Sequence, residues 1–267
     1  MLSRFSPAIQ AVIYILLAML LFSAANNCVR QATFEMHSTQ LALIRNVFTI
    51  FLMIAWIVWF HDSQMFKTSR FSQHLLRSAL GIIGMEIWFY SLGEISINKA
   101  TALSFTAPIF VTLFAILLLR ERPNWQRWCA ILLGFIGTMI ILRPGTIEFD
   151  TLELLVLLSA AIMAIGSILV KTMTKTEHPD RIVFYQGLLM TPLSLPFALA
   201  YWQPLTMNGM WWAFLVALTS TLAHLCMVRA YVHSEITLLM PFDFTRLIFT
   251  AAIAYLWFGE TLTSMTV

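Results

Sequence analysis

Residues 101–145 read TALSFTAPIFVTLFAILLLRERPNWQRWCAILLGFIGTMIILRPG. They hold an apolar run ending at residue 119, the basic turn RERPNWQR, and a second apolar run over 128–142. A helix rises 1.5 Å per residue, so each run with its flanks can cross a hydrocarbon core about 30 Å thick. The stretch predicts two adjacent membrane-spanning helices joined by a tight charged turn.

The rest of the chain has the same character. It is 60% hydrophobic and 11% charged, with mean hydropathy +0.81, whereas soluble domains are about a quarter charged. This predicts an all-α integral membrane protein embedded in a lipid bilayer. The net charge of +3 is spread through short turns, without the basic stripe that nucleic-acid binding requires. Cys28, Cys129 and Cys226 lie in separate apolar runs and have neither disulfide nor zinc spacing; they read as packing residues. Nine spans are expected, over 7–27, 39–60, 76–93, 97–119, 125–142, 152–173, 182–202, 210–232 and 236–258. The first ends in Phe22-Ser-Ala-Ala, which resembles a signal-peptide cleavage site. It is read as a span, because everything downstream stays in the membrane. No connection is long enough to form a soluble domain.

The chain repeats internally. A shift of 139 residues places Ile97 on Ile236, Phe105 on Phe244, Ala115 on Ala254 and Glu121 on Glu260. A shift of 141 places Val29 on Val170, Arg30 on Lys171, His37 on His178 and Arg45 on Gln186. Two five-helix repeats follow, residues 1–146 and 147–267. The first register carries Trp128 onto Val267, so the second repeat is expected to stop before its fifth helix, leaving nine of ten.

The motifs that recur are a proline within an apolar helix (Ala107-Pro108), a terminal acid (Glu121), and a Gly-rich helix ending in Arg143-Pro144-Gly145, echoed over residues 234–260. This pattern resembles the EamA-type branch of the drug/metabolite transporter superfamily over nearly the whole chain. The resemblance implies a secondary transporter for amino acids, nucleotide-like metabolites or related solutes. The run Trp125-Gln-Arg-Trp followed by Leu133-Gly-Phe-Ile-Gly is similar to members that take up S-adenosylmethionine.

Positive charges set the orientation. Arg4, Lys67, Arg70, Arg77, Arg120, Arg122, Arg127, Lys171, Lys175 and Arg181 collect on one side, against Lys99 and Arg143 with Arg30 near a helix end. The N-terminus is therefore expected in the cytoplasm of a bacterial-type inner membrane. Five helices per repeat is an odd number, so the repeats are inverted, which places a binding site near the midplane.

Polar residues inside spans are costly and normally face inward. Those expected to line a substrate cavity are Asn27, Arg45, Glu86, Trp88, Tyr90, Tyr185, Gln186, His224, Asp243 and Arg246. Each has a second reading. Asp243 and Arg246, three apart on one helix face, form either a structural pair or a substrate contact. Arg45 either binds substrate, snorkels or braces a broken helix. Glu86 has no partner nearby in sequence and is favoured as a proton or substrate site, whereas His224 reads more readily as a packed histidine. Trp88 and Tyr90 form an aromatic pocket or a lipid-facing belt. Glu121 and Glu260 read as anchors, with Arg122 or Arg127 the expected partner of Glu121. Pro108 and Pro241 are expected to bend helix interiors.

No nucleotide-binding, nucleophile-elbow or metal-ligand motif is present in the sequence, so neither an enzyme nor a cofactor is expected. The small-molecule substrate would move with a coupling proton or against an exchanged solute. The alternative is a non-transporting assembly or sensor protein that reuses the fold.

Overall fold

A computed structural model describes residues 5–60, 63–94, 101, 103–142 and 151–258. Lys99, Arg143 and Glu260 lie outside them. The described residues form nine longer helical segments, a short 3-10 turn over Ser63–Phe66 and no strand. They are α1 (Pro7–Ala32), α2 (Ser38–Phe60), α3 (Phe71–Glu94), α4 (Ala107–Leu119), α5 (Trp125–Leu142), α6 (Thr151–Met173), α7 (Pro179–Ala200), α8 (Met207–His233) and α9. α9 starts as Ile236–Leu239, tightens to a 3-10 helix over Met240–Phe244 and resumes as Thr245–Phe258. By length and composition α1, α2, α6, α7, α8 and the first 18 residues of α9 can each cross a membrane.

The helix ends follow local chemistry. Ser6 and Thr206 accept from the backbone amides of Ile9 and Gly209 to cap α1 and α8. His37 and His178, one repeat apart, accept from the amides of Thr39 and Asp180 at 3.4 and 3.3 Å. Prolines stand in the first turns of α1, α4 and α7, where a missing N–H costs nothing. Pro108 thus begins α4 and does not bend its interior, contrary to the sequence expectation. Pro241 lies in the 3-10 stretch that breaks α9.

The repeats interlock. α1 packs along α8, α3 along α6 and α2 along α7, each helix meeting a partner from the other half. On α1 the buried face includes Ala11, Ala18, Ala25 and Ala32, one every seven residues, and on α8 it includes Ala213, Ala217, Ser220 and Ala223. Small residues let backbones approach where lipid supplies no hydrophobic drive for helix association. Phe105 and Phe244, equivalent in the 139-residue register, stack on each other at 5.8 Å between centroids.

Glu121 is an anchor, but its partners differ from those expected. α4 ends in a π-helical turn, and Arg120 adopts a left-handed φ of 57°. This turns the carboxylate of Glu121 onto the backbone amides of Ile236 and Thr237, both at 3.0 Å. The acid of one half caps the helix that opens the ninth segment, in the place where the helix dipole favours an anion. Arg127 instead bonds Glu235 and Thr237. Lys171 supplies the converse, donating to the carbonyls of Tyr231 and Ser234 as α8 ends.

Candidate functional site

The interior polar cluster lies between α2, α7 and α8. Arg45, Asn46 and Thr49 of α2, Gln186 and Gly187 of α7, and Ser220, Thr221 and His224 of α8 line a cavity of about 10 Å³, room for a single water molecule. Gly187 permits the closeness: a Cβ there would lie 2.8 Å from Thr49 Cγ2. His224 Nδ1 donates to the Ser220 carbonyl at 2.7 Å, leaving Nε2 to accept from the Gln186 amide at 3.2 Å. Thr49 and Thr221 share a hydrogen bond of 3.1 Å, and Arg45 donates to Asn46 Oδ1 at 3.2 Å. Phe22 of α1 sets its edge against the His224 ring at 4.9 Å. An apolar chamber of about 60 Å³ adjoins at Thr221, lined by Leu52, Met53 and Trp56 of α2 and Leu218, Leu222 and Leu225 of α8.

Of the ten residues expected from sequence, Arg45, Gln186 and His224 come together here. Tyr185, next to Gln186, points the other way; its hydroxyl donates to the Phe66 carbonyl at 2.8 Å and its ring stacks on His74. Asn27 bridges the carbonyls of Ser23 and Thr250, tying α1 to α9. Asp243 and Arg246 pair loosely at 3.9 Å, with the guanidinium over the Phe105 ring. Trp88 packs with Leu103 and Val156, and Tyr90 is 60% exposed. Glu86 is half-buried with Oε1 lacking a hydrogen-bond partner, but it does not line the cavity.

Residues that sequence reasoning did not single out also belong to this interior. Asn46, Thr49, Ser220 and Thr221 line the cavity. Arg77 of α3 stands between His74, whose ring stacks on Tyr185 next to Gln186, and Gly81, which faces Met190 of α7, so it lies along the stretch of α7 that carries Gln186. Sequence places Arg77 at the edge of a third span starting at residue 76, among the orienting charges, whereas α3 begins at Phe71 and carries Arg77 within it. The available signal was the spacing His74, Arg77, Ser78, which puts three polar groups on one helix face.

Equivalent crossed contacts close the bundle at both ends. At one end Glu35, after α1, accepts from Thr206 Oγ1 and Asn208 Nδ2, each at 2.7 Å, where α8 begins. Gln40 of α2 bonds the carbonyl and amide of Gln203 at 2.8 and 3.2 Å. The two donors hold the exposed Glu35 carboxyl below its ordinary range. At the other end Glu177, after α6, accepts from Thr68 at 2.6 Å ahead of α3, and Arg181 of α7 donates to the Met65 carbonyl at 3.1 Å and to Glu177 at 2.7 Å. The 141-residue register superposes Gln40 on Arg181.

Comparison with known proteins agrees with this two-part architecture. The model of the EamA-like transporter family matches twice, over residues 9–143 and 151–267. The riboflavin transporter of Vibrio cholerae is 32% identical over 255 residues, covering 94% of this chain and 86% of that protein. The S-adenosylmethionine uptake transporter of Rickettsia felis is 32% identical over 228 residues, covering 85% and 76%. A crystal structure 18% identical in sequence superposes with a TM-score of 0.77 over 94% of this chain and 88% of its own, which speaks for the fold alone. These relatives are named as transporters, not enzymes. Interlocked repeats, a polar interior built from both of them, and a family match over almost the whole length lead to one assignment: this chain is a multi-pass membrane protein that belongs to the EamA-like transporter family.

Proposed function

We propose that the protein carries a metabolite with a flat heteroaromatic ring and a polar chain, of the riboflavin and S-adenosylmethionine kind, across the inner membrane by alternating access. The reading rests on one observation above all: a polar cavity and an apolar chamber adjoin at Thr221, and both are lined by residues from the two halves. A ring suits the chamber, and a hydroxylated or charged chain suits the cavity. Sites for such ligands usually measure about 300–1,000 Å³, so the state described is closed and must open to load. The crossed contacts of Glu35 and Glu177 at opposite ends suit that role, since breaking one set while keeping the other would expose the interior to one side.

Positive charges on the N-terminal side orient that terminus to the cytoplasm. Residues 1–146 and 147–267 are the two moving repeats in this reading. A coupling proton or an exchanged solute would drive the cycle, and Glu86, with an unpartnered carboxylate oxygen, is a membrane-embedded group suited to carry a proton.

The test is counterflow in proteoliposomes holding the purified chain, with labelled riboflavin and labelled S-adenosylmethionine in parallel. Saturable, unlabelled-ligand-dependent accumulation of either one supports the reading. A flux equal to that of empty liposomes for both, with protein that is folded and oriented, sinks it.

A further inference from the structure

Among the described residues, Arg45 and Arg77 of the central site carry positive charge that no acidic side chain pairs with. Among the described residues arginine ion pairs include those of Arg127 with Glu235, Arg181 with Glu177, Arg229 with Asp180 and, loosely, Arg246 with Asp243. Arg45 and Arg77 take part in none. The carboxylate of Glu177 is held by Arg181 and Thr68. The carboxylate of Asp243 has Arg246 as its ion-pair partner.

Hydrogen bonding shows the same imbalance. The Oδ1 of Asn46 is engaged by Arg45, while its Nδ2 is buried with no acceptor. The Nε of Arg77 is also buried with no acceptor. Both ring nitrogens of His74 and the Ser78 hydroxyl, beside Arg77 on α3, have no partner either. His224 has its donor on Ser220 and its acceptor facing Gln186. The unpartnered groups of Asn46 and Arg77 are thus both donors, while the unpartnered acceptor Glu86 Oε1 lies on the opposite face of α3 from Arg77. In a membrane interior unpaired charge is costly and usually functional.

We propose that the transported metabolite presents an oxyanion, a carboxylate or a phosphate, to Arg45 and Arg77, so that the substrate itself completes the charge of the site. Guanidinium forks bind both groups through paired hydrogen bonds. The two arginines lie on α2 and α3 of the first repeat, while Gln186 and His224 belong to the second. An oxyanion held there would touch both moving halves. The inference rests on the carrier reading above and adds the charge of the cargo to it.

Matched ligands that differ in the oxyanion test it: riboflavin against riboflavin 5′-phosphate, and S-adenosylmethionine against its decarboxylated form. Half-saturating concentrations are read from ligand-dependent thermal stabilisation of the purified full chain, with counterflow of the same four compounds beside it. A preference of roughly ten- to hundredfold for the oxyanion-bearing member of a pair is expected, the span of charge-assisted hydrogen bonds. The pair that shows it distinguishes phosphate from carboxylate. Arg45→Gln and Arg77→Gln should each shrink that preference. Because loss of a buried arginine can also disturb folding, the comparison within wild-type protein stands without the variants. Equal binding within both pairs, or tighter binding of the members lacking the oxyanion, overturns the inference while leaving the carrier reading intact. If none of the four binds or moves, the carrier reading falls and the inference falls with it.

Discussion

The carboxylate of Glu121 should be among the more valuable side chains for stability, although it lies far from the central cavity. It accepts two backbone N–H bonds at 3.0 Å from Ile236 and Thr237, both fully buried, and is itself only 9% exposed. Hydrogen bonds to charged groups are worth about 1.5–3 kcal/mol each, and an unsatisfied buried donor costs about 1–3 kcal/mol. An anion at a helix N-terminus adds roughly 0.3–1 kcal/mol. Glu121→Ala removes the acceptor, orphans both amides and loses the dipole contact, for a net cost of about 3–5 kcal/mol. For a chain of this size that lowers an apparent Tm by on the order of 10 °C. Glu121→Gln, which keeps one acceptor oxygen but no charge, should fall between the variant and the wild type. The internal control is Glu235, whose side chain is 52% exposed and pairs with Arg127. An exposed ion pair contributes about 0–1 kcal/mol, so Glu235→Ala should move Tm by less than roughly 3 °C. The assay is a thermal scan of detergent-purified protein at one scan rate, since unfolding of such proteins is commonly irreversible. If Glu121→Ala falls no further than Glu235→Ala, the capping argument is wrong.

Two further predictions concern pH and packing. Glu35 has a carboxyl held below its ordinary value near 4.5, chiefly by Asn208 and then by Thr206. A depressed carboxyl stabilises its contact above the ordinary value and loses that contribution as pH falls through the folded one. Amide exchange around residues 203–209, corrected for its intrinsic pH dependence, should therefore stay flat from pH 7 to about 5 and rise only in stronger acid. Glu35→Gln should abolish that rise, and opening that already starts between pH 7 and 5.5 would contradict the assignment. On α5, a Cβ at Gly134 would meet Phe244 at 2.3 Å, whereas one at Gly137 would meet nothing within 4 Å. Gly134→Ala should cost about 1–3 kcal/mol through overpacking, and Gly137→Ala should be neutral or gain up to about 1 kcal/mol from helix propensity. Equal Tm values for the two variants would mean that α5 and α9 do not approach as described.

The legibility of this protein differs sharply between backbone and site. Span 125–142 was read from sequence at the bounds that α5 adopts, and the expected start of the ninth span at residue 236 is the first residue of α9. Such limits follow from hydrophobicity and capping residues, which act over a few neighbouring positions. The third span shows where this stops working: α3 begins five residues earlier than its apolar run, because His74, Arg77 and Ser78 are polar yet turned into the bundle. Hydropathy registers a polar residue as a boundary and carries no information about which neighbour faces it. Arg77 was lost from the candidate site for that reason.

The amino-acid sequence by itself determined that the chain lives in a bilayer, that it is helical, and that it is built from two related halves. Each of these depends on composition or on spacing along the chain. Only the tertiary structure decided which polar groups meet. Tyr185 and Gln186 are adjacent, yet one bonds Phe66 and the other His224. Arg77 and Glu86 share α3 nine residues apart, which at about 100° per residue puts them on opposite faces. Glu121 found backbone amides more than a hundred residues away, and not the nearby arginines. The direction in which a side chain points is set by helix rotation, and helix rotation is set by packing between α1 and α8, α2 and α7, and α3 and α6. That packing is a property of pairs of segments distant in the chain, so no local pattern could have carried it.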